Sequence, residues 1–257
     1  MKQNKRSTIS LTELRTIKTP AATKTWTPTA HIDVVTTIKD VIKSNDWKFR
    51  NPKSAFTTSV TPDGSKLFGT TEVLIPDFKE DEEFGMVLGF RNSHDKTIAL
   101  RFSVGTKVFL CSNLMISADF WIRREHTSKI NVRDEVERAL GLVPDAAAAF
   151  NDHFATMRNI KINHEQGIAF LVEAVRKGAL PLVDLMKARD SFTSAFEQDA
   201  HKADKLELGS ILHGKSMWGA FNSVTEQWKA RSFNQLPIKS IQLNNMTRDF
   251  ITGMAKA

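Results

Sequence analysis

One cysteine, Cys111, stands in a chain of 257 residues. A lone thiol cannot close an internal disulfide, so a packed core must hold the fold. A reducing compartment is expected, taken here as the cytoplasm of a bacterial host. No apolar run approaches the ~20 residues that a membrane-spanning helix needs. The first ten residues, MKQNKRSTIS, lack the apolar stretch of a secretory leader. No membrane partner is therefore expected. A glycine-rich phosphate loop is missing, as is strand–helix–strand alternation, which argues against a Rossmann or P-loop enzyme. Around Cys111 there is no C-x-x-C or H-x-x-x-H pair, so neither a metal nor another cofactor is expected. No internal repeat and no low-complexity tract is visible.

What is present is ordinary in amount and uneven in sign. Hydrophobic residues make up 41% and charged residues 25%, as in soluble globular proteins. The net charge is +7, which favours acidic partners, nucleic acid foremost. Residues 1–32 carry six Lys or Arg against the single acid Glu13 and read as a basic, frayed arm. Ile9, Leu11, Leu14 and Ile17 suggest a short helix within it. The remainder, 33–257, reads as one α+β domain, strand-rich over 47–126 and helical over 131–256.

The densest strand-forming stretch is Met86 to His126. Alternation puts Ile98, Leu100, Phe102 and Val104 on one face and Thr97, Ala99, Arg101 and Ser103 on the other. Gly105-Thr106 is a two-residue turn candidate, followed by a strand from Lys107 to Asn113. Met86 to Phe90 and Phe120 to Arg124 are further strands, and Asn92 to Lys96 is a polar connection. If the registers align, the second sheet face carries Arg91, Arg101 and Arg123 beside Trp121. Cations for phosphates and a ring for stacking are what single-strand binding requires. The competing reading is a solvated face packed under a helix, with each arginine paired to a carboxylate.

Elsewhere, Asp33 to Trp47 reads as a helix capped by Asp33, with Val34, Val35, Ile38, Val41 and Ile42 as its buried stripe. Trp47–Phe49, Ala55–Thr61 and Lys66–Ile75 are strands, the last two joined by a turn at Pro62-Asp63-Gly64. Asp77 to Glu83, with five acids in seven residues, reads as a solvated loop. After residue 130 the period becomes helical, with helices over 131–142, 145–157, 163–175 and 216–228, one from Pro181, and a last one from about Leu236. Asn163 with Gln166 resembles a capping box. Met217, Phe221, Val224 and Trp228 form a stripe at helical spacing that reads as core. The expected fold is an antiparallel sheet from the N-terminal half packed by four or five helices from the C-terminal half.

Cys111 with His94, Asp95, Asn113 and His126 contains the residue types of a thiol nucleophile, its imidazole and an orienting group. A cysteine alternating along a strand is more often a small buried hydrophobe. Asn92, Ser93, His94 and Asp95 also make a good turn through their own side chains.

At these residues the chain resembles a family. GFRNSHDKTIALRFSVGTKVFLCSNLMIS, followed by WIRREHT, is similar to the phage- and plasmid-like proteins grouped as domain of unknown function 932. Their R-N-S-H-D turn falls on Arg91 to Asp95, their G-x-x-V-F-x-C-x-N strand on Gly105 to Asn113, and their R-R-x-H-T segment on Arg123 to Thr127. Their W-x-x-x-N-x-V-T-E helix is carried by Trp218, Asn222, Val224, Thr225 and Glu226. With the strand around LFGTTEVLI, the resemblance covers most of residues 33–230 and leaves the N-terminal arm outside it. It implies a role in mobile-element biology and does not imply an activity. The basic sheet-and-helix architecture is also analogous to single-strand annealing proteins.

The expectation is a non-enzymatic binder of nucleic acid, single-stranded DNA in particular, serving phage or plasmid replication, recombination or transcription. Its contacts would be Arg91, Arg101, Lys107, Trp121, Arg123 and Arg124, with Asn92 to Asp95 as a functional turn. Phage or host replication and transcription proteins are candidate partners, and homo-oligomerisation is compatible with the reading. The alternative is a protein-binding module that inhibits or redirects a host enzyme; the third is an enzyme using Cys111 with His94 or His126.

Overall fold

In a computed structural model, residues 9–75, 84–108, 113–128, 130–202, 215–228 and 236–254 are described. The acidic run Asp77 to Glu83 and Cys111 lie outside them. The chain divides into two compact units. The first comprises Met1–Glu80, Gly85–Gly105 and Ala118–Ala146; the second comprises Asp81–Phe84, Thr106–Ser117 and Ala147–Ala257. The class is α+β: an antiparallel sheet in the N-terminal half and helices in the C-terminal half.

The first unit begins with helix α1 (Leu11–Thr16). Its Ser10 hydroxyl accepts the Glu13 amide while Glu13 accepts the Ser10 amide, a full capping box. Ile9 exchanges hydrogen bonds with Thr58, and Leu14 is buried. Helix α2 (His31–Ser44) buries Val34, Val35, Ile38, Val41 and Ile42 completely, as the 3.6-residue period requires. Its cap is Ala30, not Asp33. Asp33 instead sits in the first turn, where a carboxylate complements the partial positive charge of the helix start.

The sheet contains β1 (Lys48–Phe49), β2 (Thr57–Val60), β3 (Lys66–Leu74), β4 (Phe84–Ser93), β5 (Leu100–Val108) and β6 (Asn113–Arg124). β3, β4, β5 and β6 are successive neighbours, and β1 and β2 both pair with β3. The β2–β3 turn is the expected one: Gly64 takes φ +69, and Asp63 accepts from Thr61 and Ser65. The expected turn at Gly105-Thr106 does not form, because both residues lie inside β5. Pairing to neighbouring strands overrides the local turn preference. Of the expected Lys107–Asn113 strand, Lys107 and Val108 end β5 and Asn113 begins β6, while residues 109–112 lie outside the described residues.

Register between β3 and β4 sets the two faces. Gly69 stands opposite Phe90, and Phe68 opposite Arg91. A Cβ on Gly69 would lie 2.3 Å from the Phe90 ring, so the ring occupies space that only glycine leaves. Leu67, Val73, Met86, Leu88 and Phe90 make one buried face. Alternation sends Arg91 to the other. Helix α3 (Val132–Gly141), capped by Asn131, completes this unit and buries Val136, Ala139 and Leu140.

Besides the strand residues at the end of β5 and the start of β6, the second unit holds most of α4 (Val143–Asn159), then α5 (His164–Arg176), α6 (Leu185–Lys202), α7 (Met217–Glu226) and α8 (Leu236–Met254). Pro181 precedes a short 3-10 turn before α6 begins, so that helix starts four residues beyond it. The α7 stripe is core: Met217, Trp218, Phe221 and Val224 are buried, with Trp228 just beyond. Trp218 stacks on Phe221 and leans against Phe154 at 4.8 Å. The Trp228 indole N–H donates to the Ala179 carbonyl at 3.1 Å. The Asn163–Gln166 capping box forms as expected. Asn163→Ala should lower unfolding free energy by about 1 kcal/mol, read by urea titration, because it orphans a helix-start amide.

Candidate nucleic-acid interface

Three of the six expected contact residues are arginines that the sheet brings together. β5 buries Leu100 and Phe102 on one side, so Arg101 between them points to the other. Trp121 and Arg123 of β6 alternate with buried Ile122 and share that side. The Arg101 guanidinium carbon lies 4.3 Å from the centre of the Trp121 ring, a cation–π contact that fixes the guanidinium plane. Trp121 is 44% exposed.

Charge is concentrated here without full compensation. Burial pushes the Arg91 pKa down to about 10, and the charges of Arg101 and Arg123 push the same way. Arg101 is lowered by burial and then by Arg123. Arg91 and Arg101 both remain cationic at neutral pH. The Nε atoms of Arg91 and Arg101 are buried and make no hydrogen bond. Among the described residues neither arginine forms a salt bridge, whereas Arg123 pairs with Glu125 at the exposed end of the row. That surface pair is weak and easily exchanged.

Arg124 does not join this cluster. Arg124 follows Ile122 in alternation, and its Nε donates to Glu135 Oε1 at 2.6 Å, tying β6 to α3. Arg138 reaches the same carboxylate at 3.4 Å. Lys107 lies at the end of β5, half-buried, in the second unit.

The turn expected to be functional, Asn92 to Asp95, is a junction of the first unit. Asn92 Nδ2 donates to the Thr29 carbonyl at 2.8 Å and to His31 Nδ1 at 2.9 Å. His31 Nε2 donates in turn to the Gly64 carbonyl at 3.1 Å. These partners assign a neutral His31 with its proton on Nε2. His94 Nε2 donates to Thr29 at 3.0 Å, and its ring stacks on His31 at 3.7 Å. Ser93 bonds the Ile98 carbonyl, and Asp95 accepts from Thr97 and pairs with Lys66 at 2.7 Å. Asn92 and His94 thus spend their side-chain donors on Thr29 and His31, Ser93 bonds Ile98, and Asp95 holds Thr97 and Lys66.

His126 is buried edge-on to Trp26 at 6.3 Å. The Ile98 backbone faces its ring, with no hydrogen bond of ordinary geometry. Burial lowers all three imidazoles: His31 to about 4, helped by His94; His94 itself; and His126, also helped by His94. The sequence signals His94 and His126 but not His31, which lies 61 residues from its partner Asn92. No group of three His, Cys, Asp or Glu among the described residues is arranged to hold a metal ion. Nor is any described helix long and apolar enough to cross a membrane.

No curated protein and no solved structure matches the chain. Residues 21–248 match the model of the family described as Domain of unknown function (DUF932). The match starts inside the segment set apart above as an arm. The arm's share of it includes Trp26 and Thr29, which pack beside His126 and the Asn92 turn. A match over that span makes the chain a member of the DUF932 family.

Proposed function

We propose that this chain is a non-enzymatic nucleic-acid-binding protein that takes single-stranded DNA on the Arg91, Arg101, Arg123 and Trp121 face of its sheet. The observation that carries the reading is the gathering of three guanidinium groups on one face, two of them without a salt bridge among the described residues. An aromatic ring beside them suits base stacking, which every base can offer. A net charge of +7 adds long-range attraction for a polyanion. Service in phage or plasmid replication, recombination or transcription, in a bacterial cytoplasm, belongs to the same proposal and rests on the family resemblance.

The test is binding of a short single-stranded oligonucleotide, followed by anisotropy across a salt series. Three phosphate contacts predict a slope of log affinity on log salt of about −2, and each Arg→Gln change at 91 or 101 should remove about 0.7 of it. No binding at ~50 mM salt, where phosphate contacts are strong, ends the proposal.

One observation favours the protein-binding alternative. In the second unit Leu182, Val183 and Met186 are 70%, 82% and 55% exposed within five residues of sequence. Clustered apolar exposure of this kind suits a protein partner. Nuclease-treated pull-down from host lysate, with a Val183→Asp control, separates the two: a stoichiometric protein retained without DNA and lost in the control favours this second reading.

A further inference from the structure

We propose that Arg91, Arg101 and Arg123 together form a site for a phosphomonoester group, and that on the nucleic-acid reading its source is the phosphorylated end of a strand. The inference deepens that reading and rests on it for the source of the phosphate, though not for the phosphate chemistry.

Arg123 pairs with Glu125, whereas Arg91 and Arg101 have no such partner among the described residues. Two half-buried guanidiniums hold Nε–H donors that meet no acceptor among the described residues. An unpaired buried charge is costly, and here like charges also face each other. A fold retains such an arrangement when something outside the chain completes it. The missing partner must be an anion with several acceptor oxygens. A carboxylate brings one charge and two oxygens. An internal phosphodiester also brings one charge and only two free oxygens. A phosphomonoester brings nearly two charges and three oxygens, the nearest match to three forks.

Position within the sheet selects an end over an internal phosphate. Arg91 is recessed, with the buried Phe68 directly opposite it in the β3–β4 register. Arg123 and Trp121 lie at the open β6 side. The row therefore runs from open to closed, with an apolar wall at its inner end. A terminal phosphate can enter to Arg91 and stop there. An internal phosphate would need room for a nucleotide on each side of it, and Phe68 occupies one of those sides. Trp121, already holding Arg101 in plane, stands where the first base or sugar would follow.

The experiment compares three versions of one oligonucleotide, with a 5′-phosphate, a 3′-phosphate or hydroxyls at both ends, against the full chain. Inorganic phosphate is added alone as a fourth arm, read by thermal shift. A phosphorylated end is expected to bind about tenfold tighter than the hydroxyl form, a difference of 1.4 kcal/mol by the standard conversion. That advantage should vanish in Arg91→Gln and Arg101→Gln and persist in Lys43→Gln, a remote exposed control. Inorganic phosphate should raise the melting temperature of the wild type and not of Arg91→Gln. If all three oligonucleotides bind equally and binding still depends on Arg91, the end-phosphate inference is overturned while nucleic-acid binding stands. If phosphate stabilises the wild type through Arg91 but no oligonucleotide binds, the site takes free phosphomonoesters and the nucleic-acid reading falls. No response in any arm overturns both. Arg91→Lys keeps one charge without the fork, so it separates loss of geometry from loss of folding.

Discussion

Lowering the pH from 7 to 4 is expected to remove about 3 kcal/mol of stability through His31 alone. The free imidazole value is 6.5 and the folded value is about 4. The fold therefore favours the neutral ring, and His31 contributes fully above 6.5. That contribution is lost as pH falls from 6.5 towards 4, at about 1.4 kcal/mol per unit. The physical cause is burial first, then the stacked His94. A protonated His31 would also turn Nδ1 into a donor facing the Asn92 amide, which has only donors to offer there. His94 and His126 move in the same direction. Asp63 and Asp95 titrate below the normal carboxylate range and act mainly under more acid conditions, whereas Glu13 and Glu173, lowered by hydrogen bonds to Ser10 and Arg176, add to the loss at the acid end of this window. Urea unfolding at pH 7.5, 6, 5 and 4 measures the effect. A flat profile between 6.5 and 4 would show that the imidazoles are not held neutral. His31→Gln should make it shallower, with the slope of His94 and His126 remaining, while lowering stability at pH 7.5.

Gly167→Ala should destabilise the second unit by about 1–2 kcal/mol, against the usual sign for a helix. In an open helix this change stabilises by roughly 0.5–1 kcal/mol, because alanine restricts the unfolded chain. Gly167 sits in α5, where its added Cβ would lie 2.1 Å from Cζ of Phe192. Phe192 is fully buried and stands against His164 and Phe196, so its ring has no empty space to enter. Overpacking of this kind costs about 1–3 kcal/mol and wins over propensity. Denaturant unfolding of the single variant checks the sign, and a stabilised Gly167→Ala would refute the account. Combination with Phe192→Leu, which shortens the ring's reach, should cost less than the sum of the two changes, since the pair shares one space.

The same logic bears on the arginine row. Arg91→Gln and Arg101→Gln should leave stability unchanged or raise it, because each removes a half-buried charge that no described carboxylate offsets. A melting temperature lowered by several degrees in both variants would mean that the guanidiniums serve the fold instead of a ligand.

Much of the fold could be read from local pattern. Val34, Val35, Ile38, Val41 and Ile42 recur at the helical period and are buried at it. Leu100, Phe102 and Val104 alternate and are buried in alternation. The Gly64 turn and the Asn163–Gln166 box follow from side-chain chemistry within three residues. The same strand alternation placed Arg101 opposite the core before any coordinates. What could not be read is whatever depends on partners distant in sequence. Gly105-Thr106 looks like a turn locally and is a strand because its neighbours pair with it. The role of Asn92 depends on Thr29 and His31, more than sixty residues away, and no periodicity reports such a meeting. The convergence of Arg91, Arg101 and Arg123 required three neighbouring strands to meet at matching positions. By itself the sequence determined the class of fold, the core stripes and a chain rich in positive charge. Only the tertiary structure decided which of those charges meet, because side-chain direction is local whereas strand register is a property of the whole sheet.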